Sequence, residues 1–215
     1  MGDYLKRWGL TPQKPVKKAW EQTPVKVEGE ISTDQVRVKQ ENATIFWGDE
    51  TCIKNTKQHG RCYAPKGKTT VQPIPAKRVS LNMISAIANQ GEVRFMLYES
   101  TMNAKVLIIF LRELIESTPG KVLLILDNLR VHHAKKAKRW LANQTVKRYL
   151  EVFFLPAHSP ELNPDEYLNC DLKNMLHSGA AVRNVKELRS CMLTLQRRPM
   201  RVKSYLNSQH IKYAA

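Results

Sequence analysis

The chain has 215 residues, 42% of them hydrophobic, and carries 35 Lys and Arg against 19 Asp and Glu, a formal charge of +16 at pH 7. That is enough apolar material for one or two domains, and the charge directs the molecule toward polyanions, nucleic acid before anionic membrane. The longest unbroken apolar run, Val106 to Leu111, is too short to cross a bilayer; Met1 to Arg7 has no signal-peptide core, Lys6 replaces the Ser or Thr of a myristoylation motif, and four cysteines suit a reducing cytoplasm rather than a disulfide scaffold.

Residues 1–35 differ in character from the rest. Gly9-Leu10-Thr11-Pro12-Gln13-Lys14-Pro15 is rich in helix breakers, and Lys14, Lys17 and Lys18 make the segment basic. Its few apolar residues cannot form a core, so it reads as an arm ahead of one domain over 36–215. Thr44 to Gly48 is a short apolar run ending in Asp49-Glu50, which predicts a strand opening into a loop. Cys52 to Lys77 is long, basic and holds Pro65, Pro73 and Pro75; a loop of that length inside a compact domain is usually functional. Val79 to Ala88 and Val93 to Tyr98 predict two strands of a hairpin, turned by Asn89-Gln90-Gly91-Glu92.

Helical spacing follows in Ala104, Leu107, Ile108, Leu111, Leu114 and Ile115, closed by Thr118-Pro119-Gly120. Val122 to Leu126 is uninterrupted and apolar, as a strand covered on both faces should be, and ends at Asp127-Asn128. Ala137, Trp140 and Leu141 stripe a second helix. Val152 to Leu155 predicts another strand, and Leu168, Leu172, Met175 and Leu176 a third helix. Val185 to about Asn207 reads as helical and basic, with Cys170 and Cys191 as buried helix thiols. The order of elements predicts one α/β domain with a mixed five-stranded sheet flanked by helices.

Three carboxylates fall at the ends of these elements: Asp49, Asp127 and Glu166. Sites in α/β sheets form at strand ends, and acids gathered in one place repel unless a cation or proton neutralises them. Hard oxygen ligands suit Mg²⁺ or Mn²⁺, and paired ions suit in-line attack at phosphodiesters. Each acid also has a plainer reading. Asp49 and Asp127 can simply open turns. In Asn163-Pro164-Asp165-Glu166, Asn stands at the N-cap, Pro at the first helical position and Glu at the third, a capping-box arrangement.

The words around these acids narrow the reading. Trp47-Gly48-Asp49-Glu50-Thr51, Leu126-Asp127-Asn128-Leu129-Arg130-Val131-His132 and Ser159-Pro160-Glu161-Leu162-Asn163-Pro164-Asp165-Glu166-Tyr167-Leu168 occur in that order. Together with His59-Gly60-Arg61-Cys62-Tyr63-Ala64-Pro65-Lys66-Gly67-Lys68, they closely resemble DDE transposases of the mariner superfamily, in its bacterial insertion-sequence branch. The resemblance covers about residues 44–213. It implies a ribonuclease-H-like fold in which Asp49, Asp127 and Glu166 bind two Mg²⁺ or Mn²⁺ ions, with Asp165 as the fallback ligand. It further implies cleavage at transposon ends and transfer of the freed 3′-hydroxyl to target DNA, by a dimer on double-stranded DNA at the nucleoid. No catalytic Ser or Tyr and no covalent protein–DNA intermediate is required.

The gap between Asp127 and Glu166, 38 residues, is a few longer than is common in the family, so the loop before Pro156 is expected to be extended. Asn128 and His132 match the family's Asp-Asn-x-x-x-His pattern and either orient Asp127, contact a phosphate or serve structure alone. Relatives carry helix-turn-helix units ahead of the catalytic domain. Asp3 to Leu10 resembles only the last piece of one, so this chain is expected to lack its own end recognition. Between Leu129 and Leu150 stand Arg130, Lys135, Lys136, Lys138, Arg139, Lys147 and Arg148 with no acid, a run suited to phosphate contacts. Cys52, His59 and Cys62 do not have the spacing of a zinc finger. Two other readings stay open: a catalytically idle DNA-binding remnant, and a nuclease that cuts without joining.

Overall fold

The computed structural model describes residues 43–54, 80–129, 131–155, 162–178 and 184–207, with isolated positions 4, 7, 8, 65 and 68. Five strands form one mixed sheet: β1 (Thr44–Lys54), β2 (Ser80–Ala88), β3 (Val93–Tyr98), β4 (Val122–Leu126) and β5 (Leu150–Phe154), in the order β3-β2-β1-β4-β5. β1, β2 and β3 pair antiparallel as a meander, whereas β4 and β5 join β1 in parallel. Parallel neighbours need crossovers, and helices supply them: α1 (Ala104–Ser117) leads into β4, and α2 (Lys135–Leu141) with α3 (Gln144–Tyr149) leads into β5. α4 (Asp165–Ser178), α5 (Val185–Gln196) and α6 (Pro199–Leu206) follow.

Side-chain alternation along the strands divides the core in two. Phe46, Ile84, Leu124 and Leu126 face one side and pack on Leu107, Phe110, Leu111 and Leu114 of α1 and Ala137 of α2. Ile45, Trp47, Met83 and Ile87 face the other and pack on Leu168, Leu172 and Leu176 of α4 and on α5 and α6. Each such Leu, Ile or Phe contributes about 1.5–3 kcal/mol on burial, so both helical layers are bound to the sheet. Among the described residues no helix is long and apolar enough to cross a membrane.

Four features differ from the sequence expectation. β1 does not open into a loop at Asp49 but runs on to Lys54, because nine registered pairs with β2, from Phe46↔Ala88 to Lys54↔Ser80, carry it past the acids. A short helix, α3, follows α2; its N-cap Asn143 accepts the Thr145 N–H at 2.9 Å. The C-terminal helical region breaks between Gln196 and Pro199, since proline cannot continue a helix yet suits the first turn of the next. Cys170 is exposed rather than buried, on the outer face of α4, and Cys191 is partly covered. Most of the basic loop after Lys54, the loop before Leu162, and Arg130, His59 and Cys62 lie outside the described residues.

The β2–β3 hairpin is tied to the C-terminus at its turn. Gly91 has φ +90°, and a Cβ built there would lie 2.4 Å from the Pro199 carbonyl oxygen. Both the left-handed backbone and the contact demand glycine. Gly91→Ala is expected to cost about 3 kcal/mol and lower the Tm by about 10 °C, read by thermal denaturation. An unchanged Tm would show that hairpin and α6 are not packed as described.

Candidate active site

The parallel pairing of β1 with β4 sets Trp47 opposite Ile125. Two residues further along come Asp49, within β1, and Asp127, the first residue past β4. Asp49 lies on the face covered by α4, where Asn169 reaches it. The Asp127 carboxylate instead lies within 4.8 Å of ligand atoms of Glu50 and His132, and is near enough to Asp49 to add repulsion there. Gly48 lets the strands close here: a Cβ would meet Leu126 Cδ2 at 2.8 Å and the Ser85 carbonyl at 3.1 Å.

α4 brings the third acid. Asn163 caps the helix, its Oδ1 accepting the Asp165 N–H at 3.1 Å, and its Nδ2 donates to the Gly48 carbonyl at 3.1 Å. One buried side chain thus starts the helix and fixes its first turn over β1. One turn later, Asn169 Nδ2 donates to Asp49 Oδ2 at 2.7 Å. Between these ties stands Glu166, partly exposed. Its backbone N–H donates to the Asn163 carbonyl at 3.2 Å, but among the described residues its carboxylate makes no hydrogen bond to Asn163, so the reciprocal half of a capping box is not formed. Asp165 points inward instead: it is fully buried and accepts a hydrogen bond from Ser85 Oγ at 2.6 Å.

The electrostatics record the crowding. Burial, reinforced by Glu166, Glu50 and Asp127, pushes the Asp49 pKa up to about 7. Burial and then Glu50 push Asp127 up to about 6, against the nearby His132. Burial, with Asp49 close by, drives Asp165 well above the carboxylate range. Between about pH 4 and 7 the folded state therefore holds more protons on these acids than the unfolded chain, and their contribution to stability falls as pH rises through that window.

Sequence reasoning missed Glu50. It lies on the opposite sheet face from Asp49, where its Oε1 sits 2.7 Å from Nε2 of the buried His132. His132 Nδ1 faces the Asp127 carbonyl at 2.8 Å and Asp127 Oδ1 at 3.5 Å. Both ring nitrogens therefore meet acceptors. Burial opposes a charge on the ring, but the Glu50 carboxylate and the Asp127 oxygens outweigh it and hold the His132 pKa above its usual value. Glu50, Asp127 and His132 do offer ligand atoms within 4.8 Å of one another, yet a 2.7 Å contact leaves no space for an ion between Glu50 and the imidazole. The arrangement is an ion pair anchoring the backbone at Asp127. Asn128 turns away from Asp127 and bonds His133, whose ring lies 4.5 Å from that of Phe154.

The acids fit a divalent cation. Of six buried side-chain polar atoms without a hydrogen-bond partner among the described residues, Asp127 Oδ1, Asp165 Oδ1 and Asn169 Oδ1 belong to the residues around Asp49, and Glu50 Oε2 to the ion pair on the other face. Asp127 Oδ1, 3.5 Å from His132 Nδ1, and Asn169 Oδ1 are oxygen acceptors. Buried acceptors without donors are costly, and hard oxygens of this kind suit Mg²⁺ or Mn²⁺. Nearby, Lys135, Lys136, Lys138 and Arg139 are all exposed along α2, whose N-terminus follows Asp127 by a few residues.

The Glu50–His132 pair gives a stability prediction. His132→Ala leaves the Glu50 charge buried and unpaired and is expected to cost about 3–5 kcal/mol in urea unfolding. Adding Glu50→Gln should recover part of that loss. Additive costs in the double variant would contradict the pairing.

Comparisons with known proteins bear on the family and the fold. The sequence profile of the DDE superfamily endonucleases matches residues 44–189, and that of a winged helix-turn-helix matches residues 1–29. No curated protein matches. The Mos1 mariner paired-end complex with Mn superposes with a TM-score of 0.63 at 17% identity, covering 100% of this chain and 70% of that one. The Mos1 strand transfer complex gives 0.61 at 18% identity over 100% and 69% of the two chains. The catalytic domain of Mos1 mariner transposase gives 0.54 at 17% identity over 92% and 97%. At these identities the likeness speaks for the fold, the ribonuclease-H-like sheet with helices on both faces. The profile match takes in well over half of the chain, with Asp49, Asp127 and Glu166 inside it, and the chain belongs to the DDE superfamily endonucleases.

Proposed function

We propose that this chain is the catalytic part of a DNA transposase, which cuts at transposon ends and joins the freed 3′-hydroxyl to target DNA. The observation that carries the reading is the gathering of Asp49, Asp127 and Glu166 near the end of β4. There burial and both other acids raise the pKa of Asp49, and burial and Glu50 raise that of Asp127. Asp49, Asp127 and Glu166 would hold Mg²⁺ or Mn²⁺, as two ions. When bound, the ions supply Lewis acidity to the attacking and leaving oxygens of an in-line displacement.

The chain's own residues do the positioning. Asn169 fixes Asp49, the Glu50–His132 pair fixes the backbone at Asp127, and Asn163 fixes the turn that carries Glu166. Arg130, Lys135, Lys136, Lys138 and Arg139 contact DNA phosphates. Cleavage transfers the phosphoryl group to water, breaks the phosphorus–3′-oxygen bond and frees the 3′-hydroxyl. Joining repeats the displacement, with that hydroxyl as nucleophile and a target phosphodiester as electrophile. The relatives' complexes of paired ends and strand transfer support the two-step scheme and a homodimer on double-stranded DNA, and the winged helix-turn-helix match over 1–29 supports a DNA-reading segment ahead of the catalytic domain.

Supercoiled-plasmid nicking with Mg²⁺ or Mn²⁺ tests the reading. Asp49→Asn, Asp127→Asn and Glu166→Gln should each lower nicking at least about 100-fold while folding normally, and the wild type should join a 3′-hydroxyl end to plasmid. Nicking without joining would make it a nuclease only. Nicking unaffected by all three substitutions would overturn the site.

A further inference from the structure

On the sheet face opposite α4, α1 and α2 enclose a groove of about 520 Å³ that the acid cluster does not use. Four cations line it, Lys105 and Arg112 from α1 and Lys136 and Arg139 from α2, and no acid does. Its floor is apolar: Ile108, Ile109 and Trp140. Ile109 is 49% exposed, and Trp140 is half-buried with its inner side against the core. Like charges converging on one groove from two helices give a concentrated positive potential, and Ile109 and Trp140 present apolar surface between them.

The combination narrows the occupant. A second copy of this chain would bury like charges against each other. A free inorganic anion has no use for the apolar floor. A DNA duplex presents phosphates and sugars outward and keeps its bases stacked away from such a floor. An unpaired strand offers phosphates and apolar base faces together. The spacing suits it: Lys105 and Arg112 stand two turns apart on α1, about 10 Å, with Ile108 and Ile109 between them, so cations flank an apolar step. The position suits it too. β3 and β4 both run parallel to β1, so the N-termini of α1 and α2 lie at the sheet edge where the acids gather, and the groove leads away from that edge.

We propose that the α1–α2 groove binds unpaired DNA strand next to the cleavage point, with Lys105, Arg112, Lys136 and Arg139 on phosphates and a base against Ile109 and Trp140. The inference rests on the DNA-cleaving reading above.

Fluorescence anisotropy of the full chain in EDTA, where no cleavage occurs, tests it with oligo(dT) of about 20 nucleotides and a duplex of equal length. Lys105→Glu with Arg112→Glu should weaken oligo(dT) binding about tenfold or more and make its salt dependence shallower by about 1.4 in log–log slope, while duplex affinity stays within about twofold. Ile109→Asp, at an exposed position that removes no cation, should weaken oligo(dT) similarly and guards against misfolding of the double variant. Wild-type oligo(dT) affinity in both variants overturns the groove and leaves the DNA reading intact. Equal loss of oligo(dT) and duplex binding also overturns it, making the groove a general cationic track. Poly-glutamate binding more tightly than oligo(dT), and lost in the same double variant, would assign the groove to an acidic protein segment instead. Failure of the wild type to bind either DNA overturns both readings.

Discussion

Two carboxylates on neighbouring parallel strands repel one another, and much of this domain serves to hold them there. The β1–β4 register decides it: once Trp47 lies opposite Ile125, Asp49 comes level with Asp127, the first residue past β4. A slip of one residue on either strand would send one acid to the other helical layer. The nine-pair ladder with β2 on one side, and the aliphatic run of β4 buried between its neighbours, prevent that slip. Burial first, and then the neighbouring acids, raise the pKa values of both Asp49 and Asp127.

Around the two acids the neutral and cationic partners are few and specific. Asn163 and Asn169 approach from α4, and both are buried. His132 approaches from the opposite face, its charge balanced by Glu50. None of them saturates the cluster, because Asp127 Oδ1 and Asn169 Oδ1 stay without a hydrogen bond among the described residues. A site that satisfied every oxygen with protein hydrogens would be more stable without metal and less able to take one. The sheet therefore separates two tasks: one face presents the open acids, and the other face, through Glu50 and His132, braces the turn that carries Asp127.

The fold was largely legible in the sequence because its core strands and helices have clean periods. Val93 to Tyr98 and Val122 to Leu126 appear with the expected bounds, and the stripe of Leu168, Leu172 and Leu176 faces the core as spacing requires. The continuation of β1 through Asp49-Glu50 was not legible. Acids are poor strand formers, and only pairing with β2, remote in sequence, keeps them extended. The break before Pro199 was readable from the proline itself, yet the apolar residues on either side keep a helical spacing that masks it. The acids of the site stood out by their motifs. Glu50, Asn169 and Ser85 did not, because their partners are 82, 120 and 80 residues away, and no local pattern joins them. Glu166 shows the reverse case: its position suits a cap, and only the three-dimensional arrangement shows that Asn163 caps without it.

The central claim is that the crowded carboxylates await a divalent cation. Calorimetric titration of Mn²⁺ into the metal-free protein at pH 7, in two buffers of different ionisation enthalpy, tests it most directly. Asp49 and Asp127, with pKa values of about 7 and about 6, are partly protonated there, and ligands must be deprotonated to bind. The account predicts binding that releases protons, strengthens as pH rises toward 8 and is lost in Asp127→Asn. Absence of Mn²⁺ binding in the wild type, or binding that releases no proton and survives Asp127→Asn, would contradict it.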